Sequence, residues 1–467
     1  MSLFPINNVK NKLNCTAPAF YIAKSTGIPR SKTVFYEQNM QQFGYYFLLS
    51  IYSPVAIVEH CYFFFFKESA ALMEEIVIVE PAFFNQFQCV GSACPDHCCK
   101  GWDIEFDEPT VNRYMQSEAI EIRHIAVENI ITTKESQSRW GKIKLTSNGN
   151  CTFLDEDRLC KVHKSLGEKA LSTTCAIYPR LYASYKYEIR SNLTLSCPEA
   201  AKRLLTTPGA MLYSEKIKPS PEALDAPDIS EHDRLLNLMC TNIMLTCGSD
   251  IEAGFYGIIL LFFYRDKLAK DNEPEGNILN YFEDIQTAIH NDQIRKNIDE
   301  LNPNYQLQSE LLSRLQTYLG EKNEGRGWST LRFYSQKLHD LQSNNSADTM
   351  QRINTIWQDK ARPWFQERPH LLSNYIQYRM YEDFFPQKNG REFFTNLYLM
   401  ISEWLLLKWL IAASIALNDN FTEDDVINIV YSYHSIARHD KNAEDAFLTE
   451  IGRITFNDNL SLAYLLK

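Results

Sequence analysis

Apolar positions change their rhythm part-way along this chain. From residue 73 to about 205 they come in short runs and alternations, and from residue 230 they recur at helical spacing. Ile76-Val77-Ile78-Val79 is a β-branched run of strand character. The segment KIKLTSNGNCTFL (142–154) alternates about Asn148-Gly149, a dipeptide that accepts the positive φ of a tight hairpin turn. Pro208, Pro219, Pro221 and Pro227 mark residues 206–229 as a linker. Beyond it, Ser230 and Asp233 form a capping-box pattern ahead of Leu235, Leu236, Leu238, Met239, Ile243 and Leu245. Thr422 and Asp425 repeat it before Val426, Ile427 and Ile429. The pattern predicts an α+β protein: a small Cys-rich domain with short strands and hairpins over 73–205, the linker, and a mainly α-helical domain over 230–467.

Two stretches are apolar enough to raise the question of a membrane. FFTNLYLMISEWLLLKWLIAASIAL (393–417) carries Glu403 and Lys408 near its middle, which favours a helix buried at the centre of an all-α domain over a span. FGYYFLLSIYSPVAIVEHCYFFFF (43–66) is interrupted by Pro54, Glu59 and His60 and is followed by no small-residue cleavage site. Residues 1–72 read as an atypical leader, translated from upstream sequence or disordered, with Lys67-Glu68 encoding a purine-rich ribosome-binding site. Translation is then expected to start at Met73; a hydrophobic anchor is the alternative.

A net charge of −11 argues against nucleic-acid and anionic-membrane binders, which need a basic face. With no credible export signal the expected compartment is the reducing cytoplasm, where clustered cysteines point to metal or thiol chemistry rather than disulfides. Eight of the twelve cysteines fall between Cys89 and Cys197, as Cys89-x4-Cys94-x3-Cys98-Cys99 and Cys151-x8-Cys160-x14-Cys175-x21-Cys197. Thiolates are soft ligands suited to zinc or to iron–sulfur clusters.

Several of the eight fall where the backbone favours a thiolate. Ser196 with Glu199 makes a capping box that places Cys197 in a first helical turn, where the dipole and free N–H groups lower a thiol pKa. Thr174-Cys175 occupies a similar helix-end or turn position. Cys151 follows the Asn-Gly turn and Cys160 follows the Asp155–Arg158 turn. Cys98 and Cys99, being adjacent, are not both expected to aim at one metal atom. His97 is a weaker ligand candidate. Cys240 and Cys247 are expected in the helical core, and Cys15 and Cys61 belong to the leader.

No G-x-G-x-x-G follows a strand, and neither a P-loop nor a G-x-S-x-G elbow occurs. The Cys-x3-Cys-x2-Cys spacing of radical S-adenosylmethionine enzymes is approached at Cys94 and Cys98, but Gly101 stands at the third position.

FQCVGSACPDHCCKGWDI, CTFLDEDRLCKVHKSLGEKALSTTCAIYPR and LSCPEAAKRLL, with LLSNYIQYRMYEDFFP and FTEDDVINIVYSYHSIARH in the helical half, resemble the flagellin lysine-N-methylase family. That family is related to small zinc- or iron-chelating Cys-rich proteins. The resemblance implies methyl transfer from S-adenosyl-L-methionine to lysine ε-amines of flagellin, with a [4Fe-4S] cluster held by the cysteines and zinc as the alternative metal. Under that reading Tyr178, Arg180 and Trp102 are cofactor-binding candidates: Arg180 for a carboxylate, Trp102 as a cluster wall or adenine platform. Asp96, Asp103 and Glu105 are candidate proton acceptors or lysine-steering groups, and more often such carboxylates are simply solvated. No general base is identified. The competing reading is a non-catalytic zinc- or iron–sulfur-binding module that docks a protein partner.

Overall fold

The β-branched run becomes β1 (Glu74–Pro81) in the computed structural model, which describes residues 74–467 apart from 103, 272–276, 322–324, 342–345, 388–389, 439–441 and 454–460. The leader, Met73 and Asp103 lie outside the described residues. β1 lies inside a four-stranded sheet of order β5-β6-β1-β7, with β5 Arg180–Tyr185, β6 Glu188–Leu193 and β7 Tyr213–Ser220. Ile76 and Val79 are buried, and each such side chain contributes about 1.5–3 kcal/mol by leaving water. β6 runs parallel to β1, while β7 pairs antiparallel along its whole length, from Glu74 opposite Ser220 to Pro81 opposite Tyr213.

That pairing corrects the linker expected over 206–229. β7 is an edge strand exposed along most of its length, so it shows no alternation, and an edge tolerates Pro219. Of the four prolines, Pro219 sits inside this strand.

A second sheet, β2-β4-β3, is small: β2 Glu105–Phe106, β4 Gly141–Ile143 and β3 Ile130–Thr132. It packs with α1 (Glu108–Met115) and α2 (Ile120–Asn129) around Ile104, Phe106, Tyr114, Ile122 and Phe153. The Asn148-Gly149 turn forms as expected, with Gly149 at φ +75 and its N–H donating to Thr146 O at 2.8 Å. Its arms shorten beyond β4 to isolated bridges, Leu145 with Cys151 and Lys100 with Asn150. Short helices α3 (Lys161–Leu166) and α4 (Thr173–Ile177) complete this layer.

The main sheet and α5 (Pro198–Thr206) instead share one core with the helical half. Helices α6 (Glu231–Cys247) and α7 (Ile251–Asp271) follow, and α8 (Trp328–Asp340), α9 (Pro369–Glu382) and α11 (Glu423–Tyr433) are among the further helices arranged around α10 (Phe393–Leu417). Tyr378 and Tyr381 of α9 donate to the carbonyls of Leu193 and Ser191, at 3.0 and 3.1 Å, so sheet and helices are joined by polar contacts as well as burial. Residues 70–467 accordingly form one unit.

Ser230 caps α6 by accepting from Asp233 N–H at 3.1 Å, while the Asp233 carboxylate turns away to Gln387. Cys240 is fully buried in α6 and Cys247 partly so, both in the helical core. α10 is long and apolar enough by composition to cross a membrane, yet it is buried over nearly its whole length. Its two charges are matched: Lys408 pairs with Glu252 at 2.8 Å and Glu403 with Arg379 at 2.6 Å.

Candidate metal centre

The opening cysteines lie on a loop whose shape is set by backbone bonds. A 3-10 turn at Gly91–Ala93 leads into Cys94, and the N–H of Gly91 approaches Cys89 Sγ at 3.4 Å. The loop then lies against the Asn-Gly turn: Gly101 donates to Gly149 O at 2.9 Å and Cys151 donates to Cys99 O at 2.8 Å. Two cysteines 52 positions apart in sequence are thereby made neighbours. Cys160 is placed by the next turn, where Asp155 accepts from Leu159 N–H at 2.8 Å and Arg158 adopts φ +63. Cys160 then precedes α3 directly. In α4 the N–H of Cys175 is held by Ser172 Oγ at 3.2 Å, the helix-end position expected for it.

Cys98 is the hub of the thiols. It lies within electrostatic reach of Cys94, Cys99, Cys151, Cys160 and Cys175. Cys94 in turn feels Cys89 and is felt by Cys197, so the eight form one connected neighbourhood. The neighbouring Cys99 lowers the Cys98 pKa, and Cys98 together with burial raises that of Cys99. Burial pushes Cys151 and Cys197 up to about 12 and Cys175 up to about 11.

The Cys197 value reverses the sequence expectation. The Ser196–Glu199 box is not formed: Cys197 is itself the N-cap of α5, Glu199 pairs with Arg203 at 2.8 Å, and Ser196 Oγ bonds Tyr178 and Thr194. The N–H groups of Ala200 and Glu199 do favour the thiolate, but desolvation outweighs them in the metal-free thiol.

The chemistry of this donor set suits a soft metal. Backbone N–H groups near several sulfurs favour their ionised form: that of Asp96 at Cys94, Phe153 at Cys151, Val162 and His163 at Cys160, and Ala200 and Glu199 at Cys197. Such N–H groups support ligating thiolates. Nδ1 of His97 is buried with no hydrogen-bond partner among the described residues. Among the described residues, however, no group of three or more His, Cys, Asp or Glu side chains is arranged to hold an ion. The thiols stand together as a neighbourhood and not as a closed coordination shell.

Trp102 flanks the hub, donating from Nε1 to Cys98 O at 2.6 Å, with its ring centroid 6.1 Å from that of Tyr178. Arg180, at the start of β5, lies over the Phe87 ring at 5.7 Å and has no ion pair among the described residues. Glu105 is occupied on the surface by Arg139, at 2.8 Å. The residue that sequence reasoning missed is Arg326. It comes from the helical half, is 8% exposed, and donates to Tyr178 Oη at 2.6 Å and to the carbonyl of Ser196. Its Nε faces Asp96 Oδ2 at 3.4 Å. The available signal was Gly325-Arg326-Gly327, an arginine between two positive-φ glycines directly before a helix.

Fold and site together define a thiol-rich layer built onto a helical domain. Residues 88–198 match the CxxCxxCC family, described as a zinc- or iron-chelating domain, and residues 237–466 match the FliB lysine N-methylase C-terminal domain. The chain is 36% identical over 400 residues to the Lysine-N-methylase of Salmonella typhimurium, covering 84% of this chain and all of that protein. It is 54% identical over 145 residues to the flagellar biosynthetic protein FliU of Salmonella muenchen, covering 31% of this chain and 86% of that protein. Against FliV of the same organism it is 27% identical over 168 residues, covering 35% and 97%. This chain belongs to the lysine N-methylase family. No solved structure matches it.

Proposed function

We propose that this chain is a cytoplasmic protein-lysine N-methyltransferase that draws its methyl group from S-adenosyl-L-methionine, acts on surface lysines of flagellin and carries a thiolate-held [4Fe-4S] centre. The observation that carries this reading is the connected set of eight thiols around Cys98, in a chain that spans the whole length of a curated lysine-N-methylase. Cys98 and the five thiols within its reach, Cys94, Cys99, Cys151, Cys160 and Cys175, are the first ligand candidates; Cys89 and Cys197 connect to them through Cys94. When bound, an iron with an open position supplies a chelation point for the amino and carboxylate groups of the methyl donor.

The remaining roles fall to the chain's own side chains. Trp102 and Tyr178 wall the hub and exclude water from it. Arg180, with no ion pair among the described residues, is assigned to the carboxylate of the methyl donor. In the transfer an S–C bond breaks as the lysine N–C bond forms, and the lysine, with a free pKa near ~10.4, first gives up a proton to solvent. The acidic chain offers a favourable field to a lysine-bearing surface.

Anaerobic purification with iron, sulfide and zinc analysis tests the centre. The expected protein is brown, with about four irons per chain. Colourless protein holding zinc replaces the cluster with a zinc site, and metal-free protein contradicts chelation.

A further inference from the structure

We propose that β5, the open edge of the main sheet, is where the lysine-bearing protein substrate docks: an extended segment of it adds to β5 as a further strand and runs on toward the thiol hub. The identity of this occupant rests on the methyltransferase reading, whereas the docking edge rests on the sheet alone.

The two edges of the sheet are built differently. β7 carries Glu215, Lys216 and Lys218, and its Pro219 has no N–H to offer; such residues keep an edge from pairing with another chain. β5 has none of them. Between Arg180 and Lys186 it reads Leu181-Tyr182-Ala183-Ser184-Tyr185, without charge or proline. Residues 181–184 are exposed, Leu181 at 42% and Tyr182 at 53%.

The register fixes which backbone groups face outward. Thr194 N–H donates to Pro179 O at 2.8 Å, so Pro179 and, by alternation, Leu181, Ala183 and Tyr185 turn their backbone groups toward β6. Arg180, Tyr182 and Ser184 therefore turn N–H and C=O away from the sheet. Lys186, the next residue of that outward row, already shows what the edge accepts. Its N–H donates to Pro227 O at 3.0 Å, and its C=O accepts from Leu224 N–H at 2.9 Å. The chain's own 224–227 segment thus covers the turn end of the edge and leaves Arg180, Tyr182 and Ser184 beyond it.

Charge and direction select the occupant. Two copies of a chain of net charge −11 repel each other, whereas a lysine-bearing segment is drawn to it. Away from the turn, the edge leads through Pro179 to Tyr178, whose ring lies 6.1 Å from that of Trp102, the donor to Cys98 O. A lysine carried past Arg180 by the paired segment is delivered to the wall of the hub. Backbone pairing supplies affinity without demanding one sequence.

The test is the binding of unmodified flagellin to full-length protein, with melting temperature, oligomeric state and methyl incorporation recorded on the same samples. Ser184→Pro removes an outward N–H and is expected to weaken binding at least about fivefold and to raise KM for flagellin. Ser184→Ala restores the N–H and should recover wild-type binding. Ile217→Pro is the matched change on the guarded edge: Ala82 N–H donates to Leu212 O at 2.7 Å, which by alternation puts Ile217 in the outward row of β7. It should bind flagellin as wild type does.

Unchanged binding by Ser184→Pro overturns the proposal, as does equal weakening by Ser184→Ala or by Ile217→Pro. A Ser184→Pro protein that changes oligomeric state while binding flagellin normally assigns the edge to a second copy and overturns it too. Should Ser184→Pro fail to fold, Ser184→Lys decides: a cation on the open edge should weaken binding, and unchanged binding overturns the proposal. Wild-type protein that binds no flagellin overturns the docking edge. Flagellin that binds through β5 but gains no methyl group contradicts the methyltransferase reading alone.

Discussion

Single residues carry the thiol chemistry, and not equally. Cys98 is within reach of five other thiols, whereas Cys240 is a fully buried core residue on α6. Cys98→Ala is therefore expected to lower bound metal at least about tenfold, and Cys240→Ala to leave it unchanged, by elemental analysis of the purified variants. Equal metal in both would contradict the hub. Gly101 is needed for a different reason: its φ is +75 and a Cβ would press on the Arg326 backbone at 2.8 Å. Gly101→Ala is expected to cost about 1–3 kcal/mol, read by denaturant or thermal unfolding. The cysteines and the Asn-Gly turn were legible in the sequence, because both are local signals. Arg326 was not. Its importance comes from partners 148 and 130 positions away in the chain, Tyr178 and Ser196, and no local pattern encodes that meeting.

Elements show how a local reading is overridden by tertiary context. The prolines of 206–229 suggested a break, yet Pro219 sits in β7 opposite Glu75, at a sheet edge where its missing N–H costs no ladder bond. The division at residue 205 was likewise drawn by composition, whereas α5 and the main sheet bury their apolar side chains with the helices. The reading of α10 as a buried helix agrees with the structure because its charges marked it. Burial alone would raise the Glu403 carboxyl, but the guanidiniums of Arg379 and Arg438 outweigh that and hold it at about 2. Tyr375 and Tyr433 also donate to it, at 2.6 and 3.3 Å. The folded pKa lies below the unfolded value near ~4.3, so the network contributes stability above that pH and loses it as pH falls toward 2. Glu403→Gln should flatten the acid limb of the melting-temperature profile. At neutral pH it should destabilise by about 1–3 kcal/mol, since Arg379 loses one of its three carboxylate partners and keeps Glu382 and Asp383. An unchanged acid limb would assign the pH response elsewhere.

At the scale of the whole molecule, two family segments meet through a polar joint. Asp96, Tyr178 and Ser196 lie in or beside the chelating segment, and Arg326 and Ser435 in the lysine N-methylase segment. The thiol layer and the helical half are thus built to act together, which a freely tethered metal module would not require. That coupling is what the functional reading depends on. The most direct test is the intact mass of unmodified flagellin after anaerobic incubation with S-adenosyl-L-methionine and metal-replete protein. Wild type is expected to add steps of ~14 Da and Cys98→Ala to add none. No mass step with the metal-replete wild type, or equal steps from both proteins, would contradict the account.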